Sequence, residues 1–350
     1  MNALLLRTVS SRLFWPIVML LVLVLINVIA FPDFLTVTVK DGHLFGSIVD
    51  ILRNGAPTLI IAVGMTLVIA TRGIDLSVGA VAAISGAVAC SILLGSSDPG
   101  NPATVAVAVI VALVISLVLG VWNGFLVSVI GIQPIIATLI LMTAGRGVAM
   151  LITEGQILTV NSAPFKELGS GFWFGIPVAV VIGAVIFAVA ALLTRRTALG
   201  MLIESVGINP EASRQAGVRA RVLLFTVYAF CALSAGIAGL ILTANQTAAD
   251  ANNTGLFIEL DAILAVVIGG TSLAGGRYSL AGTLVGALVI QTLVTTVYTV
   301  GIPPIVTMVF KAAVVTAVCL LQSPTTNAAF AQLRQRLAAR TARVKEAAAS

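Results

Sequence analysis

Apolar residues run in long blocks along this chain, and polar or charged residues are mostly confined to short connectors between them. Crossing about 30 Å of hydrocarbon takes about twenty helical residues. Ten blocks come close to that length: Leu13 to Phe31, Ile48 to Ala70, Leu76 to Leu94, Ala103 to Trp122, Pro134 to Ile152, Phe172 to Thr194, Val222 to Asn245, Phe257 to Leu273, Leu280 to Val300 and Ile305 to Leu321. Gly, Pro, Asn or charge bounds each of them. The pattern predicts an all-α polytopic membrane helix bundle of about ten transmembrane helices. The first block follows Arg7 and Arg12 like a leader, but it is long enough to span, has no small-x-small cleavage pattern and precedes many more blocks, so it reads as a retained first span.

Composition sharpens this picture. The chain is 59% hydrophobic and 9% charged, against about a quarter charged in a soluble domain. One globular core does not hide that much apolar surface, so lipid is the solvent for most of the chain. The net charge of +6 is distributed for membrane orientation and not for nucleic acid, because basic residues sit in connectors without interleaved aromatics. Fourteen of the 19 basic residues fall on one side of the bundle, in the N-terminus, at Arg72, in the loop from Arg195 to Arg221, at Arg277 and in the tail from Arg334 to Lys345. Lys40 and Lys166 lie opposite. This bias places both termini in the cytoplasm. The resulting plan is a cytoplasmic segment 1–12, a transmembrane unit 13–321 containing a cytoplasmic loop 195–221, and a basic tail 322–350 with an amphipathic helix from Gln332 to Ala349.

Dense small residues, as in Gly79-Ala80-Val81-Ala82-Ala83 and Gly236-Ile237-Ala238-Gly239, let helix backbones approach closely. Cys90, Cys231 and Cys319 lie far apart inside apolar blocks and read as small core residues, with no disulfide or zinc site. His43 has no second ligand nearby and reads as a solvated loop residue; no metal, cofactor or catalytic group is expected. Gly73 to Gly79 and Arg277 to Gly282 echo one another weakly, which chance explains as well as duplication does.

The central polar loop carries the clearest local signal. Asn209 suits a helix N-cap, Pro210 the first helical position, Glu211 the first turn and Gly217 a left-handed stop, which frames about two turns of helix. So short a helix is not stable alone in water. Ala212 and Ala216, four apart, leave a smooth face, while Arg214 and Gln215 point elsewhere. Two readings stay open: a coupling element seated on a motor subunit, or a re-entry loop packed on its own bundle.

That loop, with Thr71-Arg-Gly-Ile-Asp-Leu-Ser-Val-Gly-Ala80, Trp122-Asn-Gly124, Gln133-Pro-Ile-Ile-Ala-Thr-Leu139 and the run from Leu260 to Arg277, resembles the permease family of bacterial ABC importers for monosaccharides such as ribose, xylose, arabinose and galactose. The likeness runs from about Leu13 to Leu321. Within the family, Asp41 to Ile51, Thr153-Glu-Gly-Gln156 and Ala249 to Leu256 are most similar to permeases for galactofuranose. The resemblance implies a homodimer in the bacterial inner membrane, a periplasmic sugar-binding protein outside, and a cytoplasmic ATPase that receives the loop carrying Gly200, Glu204, Gly207 and Glu211. It also implies that nucleotide chemistry belongs to the partner, and the chain indeed lacks a Gly-x-x-x-x-Gly-Lys-Ser/Thr phosphate loop.

Several residues have a structural and a functional reading. Asp75 is placed to cap the third span, or to form a cytoplasmic gate. Asn123-Gly124 reads as a helix break, and secondarily as a polar group on a pathway; Thr271 and Ser272, bracketed by Gly269-Gly270 and Gly275-Gly276, border a close backbone approach or the translocation path. Asp250, Asn252, Asn253, Glu259 and Asp261 cluster before the eighth span on the outer side, where they suit the helix dipole, a docking surface or sugar hydroxyls. Arg146 and Lys311 are expected to snorkel to the membrane surface. An ion-coupled secondary transporter is the rival, but it needs acidic groups deep in the bundle, and the carboxylates here lie in connectors or near block ends. A receptor-like protein without transport is a second rival.

Overall fold

The computed structural model describes residues 13–301, 303 and 306–322, so the N-terminal segment, the start of the tenth block at Ile305 and the tail helix lie outside the described residues. The described chain forms thirteen helices: α1 Phe14–Ala30, α2 Ser47–Ala70, α3 Val78–Leu94, α4 Pro102–Phe125, α5 Pro134–Ile152, α6 Ala163–Ser170, α7 Val178–Arg196, α8 Leu199–Ile208, α9 Pro210–Gln215, α10 Ala220–Gln246, α11 Ile258–Ile268, α12 Leu280–Thr299 and α13 Thr307–Gln322. Three two-stranded ribbons trim the connectors: β1 Thr38–Lys40 with β2 His43–Phe45, β3 Leu158–Thr159 with β6 Ala248–Ala249, and β4 Phe172–Trp173 with β5 Ile176–Pro177. Local chemistry sets the starts. Asn101 accepts from the Ala103 N–H before Pro102, and Ser279 accepts from the Gly282 N–H at the head of α12.

Among the described residues six helices are long and apolar enough to cross a membrane, namely α2, α4 with its continuation to Ile130, α5, α7, α10 and α12. The chain is a polytopic helical membrane protein. At 17 residues each, α1 and α3 reach about 25 Å.

The sequence expectations need four corrections here. The sixth block starts as a hairpin, because Gly175 at φ +81° turns β4 back on β5, and the helix begins only at Val178. Asn123-Gly124 does not break its helix: α4 runs on to Phe125 and continues as a π-helical turn, Leu126–Ile130, before Gly131 at φ +82° stops it. The glycine there serves packing, since a Cβ at Gly124 meets the Phe225 Cα at 3.0 Å. The eighth block yields only the eleven residues of α11. His43 is not simply solvated; it sits in β2 with its ring stacked 4.5 Å from that of Phe172. Cys90 and Cys231 are buried free thiols, as expected, and the Cys319 side chain lies outside the described residues.

Helices α2 and α10 form the axis of the bundle. Their most apolar windows are 78% and 61% buried, against 28% in α4, α5 and α7. They approach where a Cβ on Gly64 would lie 2.8 Å from the Cys231 Cα, and farther along α2 the Gly73 turn meets the earlier residue Tyr228, so the pair is antiparallel. Packing repeats around this axis. Helix α10 carries α3 and α4 as α2 carries α11 and α12, while α3 contacts α4 and α5 as α11 contacts α12 and α13. With the two axis helices antiparallel, this is the arrangement of an inverted repeat. Residues 71–77 link α2 to α3, and their equivalent is the 247–257 connector between α10 and α11. The weak echo at Arg277 to Gly282 lies between α11 and α12 and is not part of the repeat.

Small residues set these distances, because lipid supplies no hydrophobic drive between helices and association rests on close packing. Gly239 of α10 lies on Ala82 of α3, where an added Cβ would sit 2.6 Å from the Ala82 Cα; at Gly183 of α7 the nearest atom would be the Ala56 Cβ at 3.6 Å. Gly239→Ala is therefore expected to cost about 1–3 kcal/mol by overpacking. Gly183→Ala, in ordinary contact, should be neutral or slightly stabilising. Thermal unfolding of the two variants in detergent checks the difference, and equal midpoints would show that the α3–α10 contact yields easily.

Candidate functional site

The central loop is two helices, not one. Within α8, Gly200, Ile203, Val206 and Gly207 are buried. Gly207 lies against the Ala70 carbonyl and the Gly276 N–H, and Gly200 against the Thr194 carbonyl and the Tyr278 hydroxyl, so a side chain at either would strike backbone. The two glycines, seven apart, thus seat α8 on the end of α2 and on the 269–279 turn. Arg72 donates to the Ile208 carbonyl, and the Gly276 N–H donates to the Ala70 carbonyl at 2.8 Å. Glu204 borders a polar cleft of about 320 Å³ with Thr194, Arg195, Met201, Tyr278 and Ser279.

Helix α9 is built as its sequence signals. Asn209 Oδ1 accepts from the Glu211 and Ala212 N–H groups at 3.1 and 3.0 Å. At the other end Gly217 has φ +84°, its N–H donates to the Arg214 carbonyl, and the Val218 N–H reaches back to Ser213. Those two bonds are the Schellman stop. Arg214 grips Glu211 with two bonds of 3.0 and 2.7 Å, which holds the Glu211 carboxyl below its ordinary pKa. Only Ser213 of α9 is buried; Glu211, Ala212, Arg214 and Ala216 face outward. Helix α8 thus packs on its own bundle as one of the two readings expects, while α9 stands free of it.

The 71–77 turn is tied to four elements. Beyond the Arg72 bond to α8, Thr138 of α5 donates to the Ile74 carbonyl at 3.2 Å, and Asn123 of α4 donates to Ser77 Oγ at 2.9 Å. The Tyr228 hydroxyl of α10 packs over Gly73. Asp75 does not cap α3 directly. Its Oδ1 accepts from the Ser77 N–H at 3.0 Å and the Ser77 hydroxyl at 2.6 Å, one residue before the helix, and Ser77 is the N-cap. Asp75 is fully buried, and its Oδ2, Asn123 Oδ1 and the Tyr228 hydroxyl have no partner among the described residues. Thr271 Oγ1 accepts from the Ser279 N–H and is buried, while Ser272 caps its own exposed turn.

The five polar residues before the eighth block do not form one outer cluster. The Cys90 thiol on α3 meets the Ala249 backbone, whereas Gly255 packs on Gly79 and Ala82 at the start of α3. Eleven helical residues separate Cys90 from Gly79, about 16 Å of rise. Residues 249–255 therefore descend alongside α3 by about half a hydrocarbon thickness. Ala80, next to Gly79, touches Gly145 in the middle of α5. Helices α3 and α11 thus both begin deep in the bundle, with Glu259 against Gly79. Glu259 is 3% exposed. Asp250 caps a tight turn, accepting from the Asn252 and Asn253 N–H groups and the Asn253 amide.

Arg146 and Lys311, expected to snorkel, are both held by protein acceptors. Arg146 donates to the Ala251 and Thr254 carbonyls at 2.9 and 2.8 Å, and Lys311 grips Asp261 at 2.9 and 2.7 Å. A charge at that depth is stable when protein acceptors replace water.

The comparisons with known proteins agree on one class. The family model described as "Branched-chain amino acid transport system / permease component" matches residues 47–319. The chain is 48% identical to the galactofuranose transporter permease protein YtfT of Escherichia coli over 90% of this chain and 92% of the relative. It is 44% identical to the fructose import permease protein FruF of Bifidobacterium longum (95% and 93% covered) and 37% identical to the ribose import permease protein RbsC of Escherichia coli (91% and 98% covered). No solved structure matches the chain.

Burying a carboxylate without a cation is costly, and an isosteric amide removes that cost while keeping the acceptor for Ser77. Asp75→Asn is expected to be at least as stable as the unaltered chain. Asp75→Ala leaves the Ser77 N–H unpaired and should lose about 1–3 kcal/mol. Thermal unfolding in detergent separates the two, and an amide variant as unstable as the alanine one would mean that the charge itself is held.

Proposed function

Since the chain belongs to the family of branched-chain amino acid transport system permease components, we propose that it is the membrane subunit of an ATP-driven importer for a monosaccharide, galactofuranose first among them. The family description speaks of amino acids, but the three relatives reported are named for sugars. The carrying observation is α9, a helix capped at both ends and displayed away from the bundle, on a chain with no phosphate loop of its own. In this reading the chain crosses the inner membrane of a bacterium about ten times, with both termini, the basic tail and α8–α9 in the cytoplasm. A cytoplasmic ATPase grips Glu211 and its neighbours, a second copy of this chain completes the channel, and a periplasmic binding protein delivers the sugar. The membrane subunit is not itself an enzyme. Fructose and ribose permeases are also similar, at 44% and 37% identity, so another sugar such as ribose, xylose, arabinose or galactopyranose is the alternative cargo.

One observation favours the rival ion-coupled mechanism. Asp75 and Glu259 lie near block ends in sequence yet are buried in the bundle. The expected outcome with the reconstituted complex is galactofuranose uptake that requires ATP, the ATPase and the binding protein. Uptake that persists without the ATPase under a proton or sodium gradient removes the assignment.

The elbow gives a sharper expectation. Glu211→Ala, which frees Arg214, and Gly217→Val, which strains a left-handed stop, should each lower sugar uptake per ATP hydrolysed by about tenfold or more while the bundle unfolds at its usual temperature. An unchanged transport-to-hydrolysis ratio in both variants places the motor contact elsewhere.

A further inference from the structure

Backbone outside a helix survives at membrane depth only where protein buries it or where it lines water, because lipid cannot satisfy its N–H and C=O groups. Two irregular segments enter this bundle. Residues 71–77 take the first solution: Thr71, Gly73, Asp75 and Ser77 are buried, and only Arg72, at the α8 contact, is exposed. Residues 250–257 do not. Ala251, Thr254 and Gly255 are buried, but Asn252, Asn253, Leu256 and Phe257 are exposed on a stretch that runs from the level of Cys90 down to that of Gly79. On neighbouring α5, Thr143 and Gly147 are exposed near Arg146, within a face that also shows Leu139, Ile140 and Val148.

We infer that residues 250–257 form the wall of an aqueous path at mid-depth, and that the side chains of Asn252 and Asn253 contact the hydroxyl groups of the solute passing through it. Asn252 contributes only its backbone N–H to the Asp250 turn, which leaves its amide free. Asn253 gives one amide hydrogen to Asp250 and keeps its carbonyl oxygen. Amides that both donate and accept suit a polyhydroxylated solute, and Leu256 and Phe257 beside them offer apolar surface to its C–H faces. Arg146 is a positioning residue: by holding the Ala251 and Thr254 carbonyls, it fixes the ends of the turn that presents the two asparagines. The identity of the solute as a sugar rests on the proposed function; the water-lined wall does not.

The test uses the full chain with its partners in membrane vesicles, with Cys90, Cys231 and Cys319 replaced by alanine. A small, charged, membrane-impermeant thiol reagent is expected to modify Asn252→Cys and Asn253→Cys at least about tenfold faster than Leu192→Cys on the lipid side, because the thiolate forms only in water. Equal rates overturn the inference, whether lipid or a second copy of the chain covers the segment. Asn252→Ala and Asn253→Ala should each slow galactofuranose uptake by about fivefold to tenfold, the worth of one hydrogen bond, at unchanged ATP hydrolysis. Fast labelling with unaltered uptake in both variants overturns the solute contact. An unaltered complex that labels rapidly at 252 and 253 yet imports no monosaccharide with ATP leaves the water-lined wall standing and overturns the importer reading instead. Arg146→Ala should slow uptake more than either asparagine variant, and Arg146→Lys, which restores the charge, should recover part of it if the role is to hold carbonyls.

Discussion

Hydrocarbon offers no hydrogen bonds, and that one constraint organises the structure. Each N–H and C=O at membrane depth must find a partner in protein or in enclosed water. Long helices meet the demand internally, as α2, α4, α5, α7, α10 and α12 do. Two crossings are interrupted, and there the partners come from side chains. Asp75 supplies an acceptor for the Ser77 N–H, Thr138 a donor for the Ile74 carbonyl, and Arg146 donors for Ala251 and Thr254. An arginine at the centre of a span costs about 2.5–3.5 kcal/mol on insertion scales. Two charge-assisted bonds are of the size needed to offset it, and the Glu259 carboxylate lies close enough to add attraction.

The same solvent removes the usual driving force for packing, so the bundle holds through contact distance. Glycines at α2–α10, α3–α10 and α11–α12 bring backbones together where no side chain fits, as at Gly269 and Gly282, whose backbones touch. Hydroxyls reinforce these seams. Thr66 and Thr283 share a hydrogen bond of 2.7 Å between α2 and α12, and Asn27 of α1 donates to Thr296 at 2.6 Å. The α11–α12 seam lies within one half of the inverted repeat, while those at α2–α10, α3–α10 and α2–α12 tie the halves together, which leaves α4, α5 and α7 as the outward walls.

Much of this was legible in the sequence because hydropathy reports composition directly. The blocks located most helices, and local chemistry located α9, since Asn209, Pro210 and Gly217 act within eight positions of one another. Depth was not legible. A polar residue at the edge of a block looks like a surface residue only if the block starts at the surface, and α3 and α11 start in the middle. The pattern sets Glu259 and Asp75 at the periphery for that reason, whereas both are buried in the bundle. The pairings of Arg146 with Ala251 and of Lys311 with Asp261 span 105 and 50 residues, beyond any local pattern. The hairpin at Phe172 escapes the pattern because three aromatic residues between two glycines score as apolar whether they form strand or helix.

The inverted arrangement also connects the α8–α9 elbow to the start of α3 through an unbroken set of contacts. Helix α9 is joined to α8 at Asn209, α8 bears on Ala70 and Gly276 through Gly207, and Arg72 fastens α8 to the 71–77 turn. That turn ends at Ser77, two residues before Gly79, on which Gly255 and Glu259 rest. At Gly207 and Gly79 the neighbours are backbone or a buried carboxylate with no space for a Cβ, so neither contact has slack to absorb a displacement. A displacement of α8 therefore meets no slack at these two contacts before it reaches the start of α3 and the surface on which residues 250–257 lie. Helix α9 and residues 250–257 are in this sense two ends of one chain of contacts, and Gly207 and Gly79 are its tightest points.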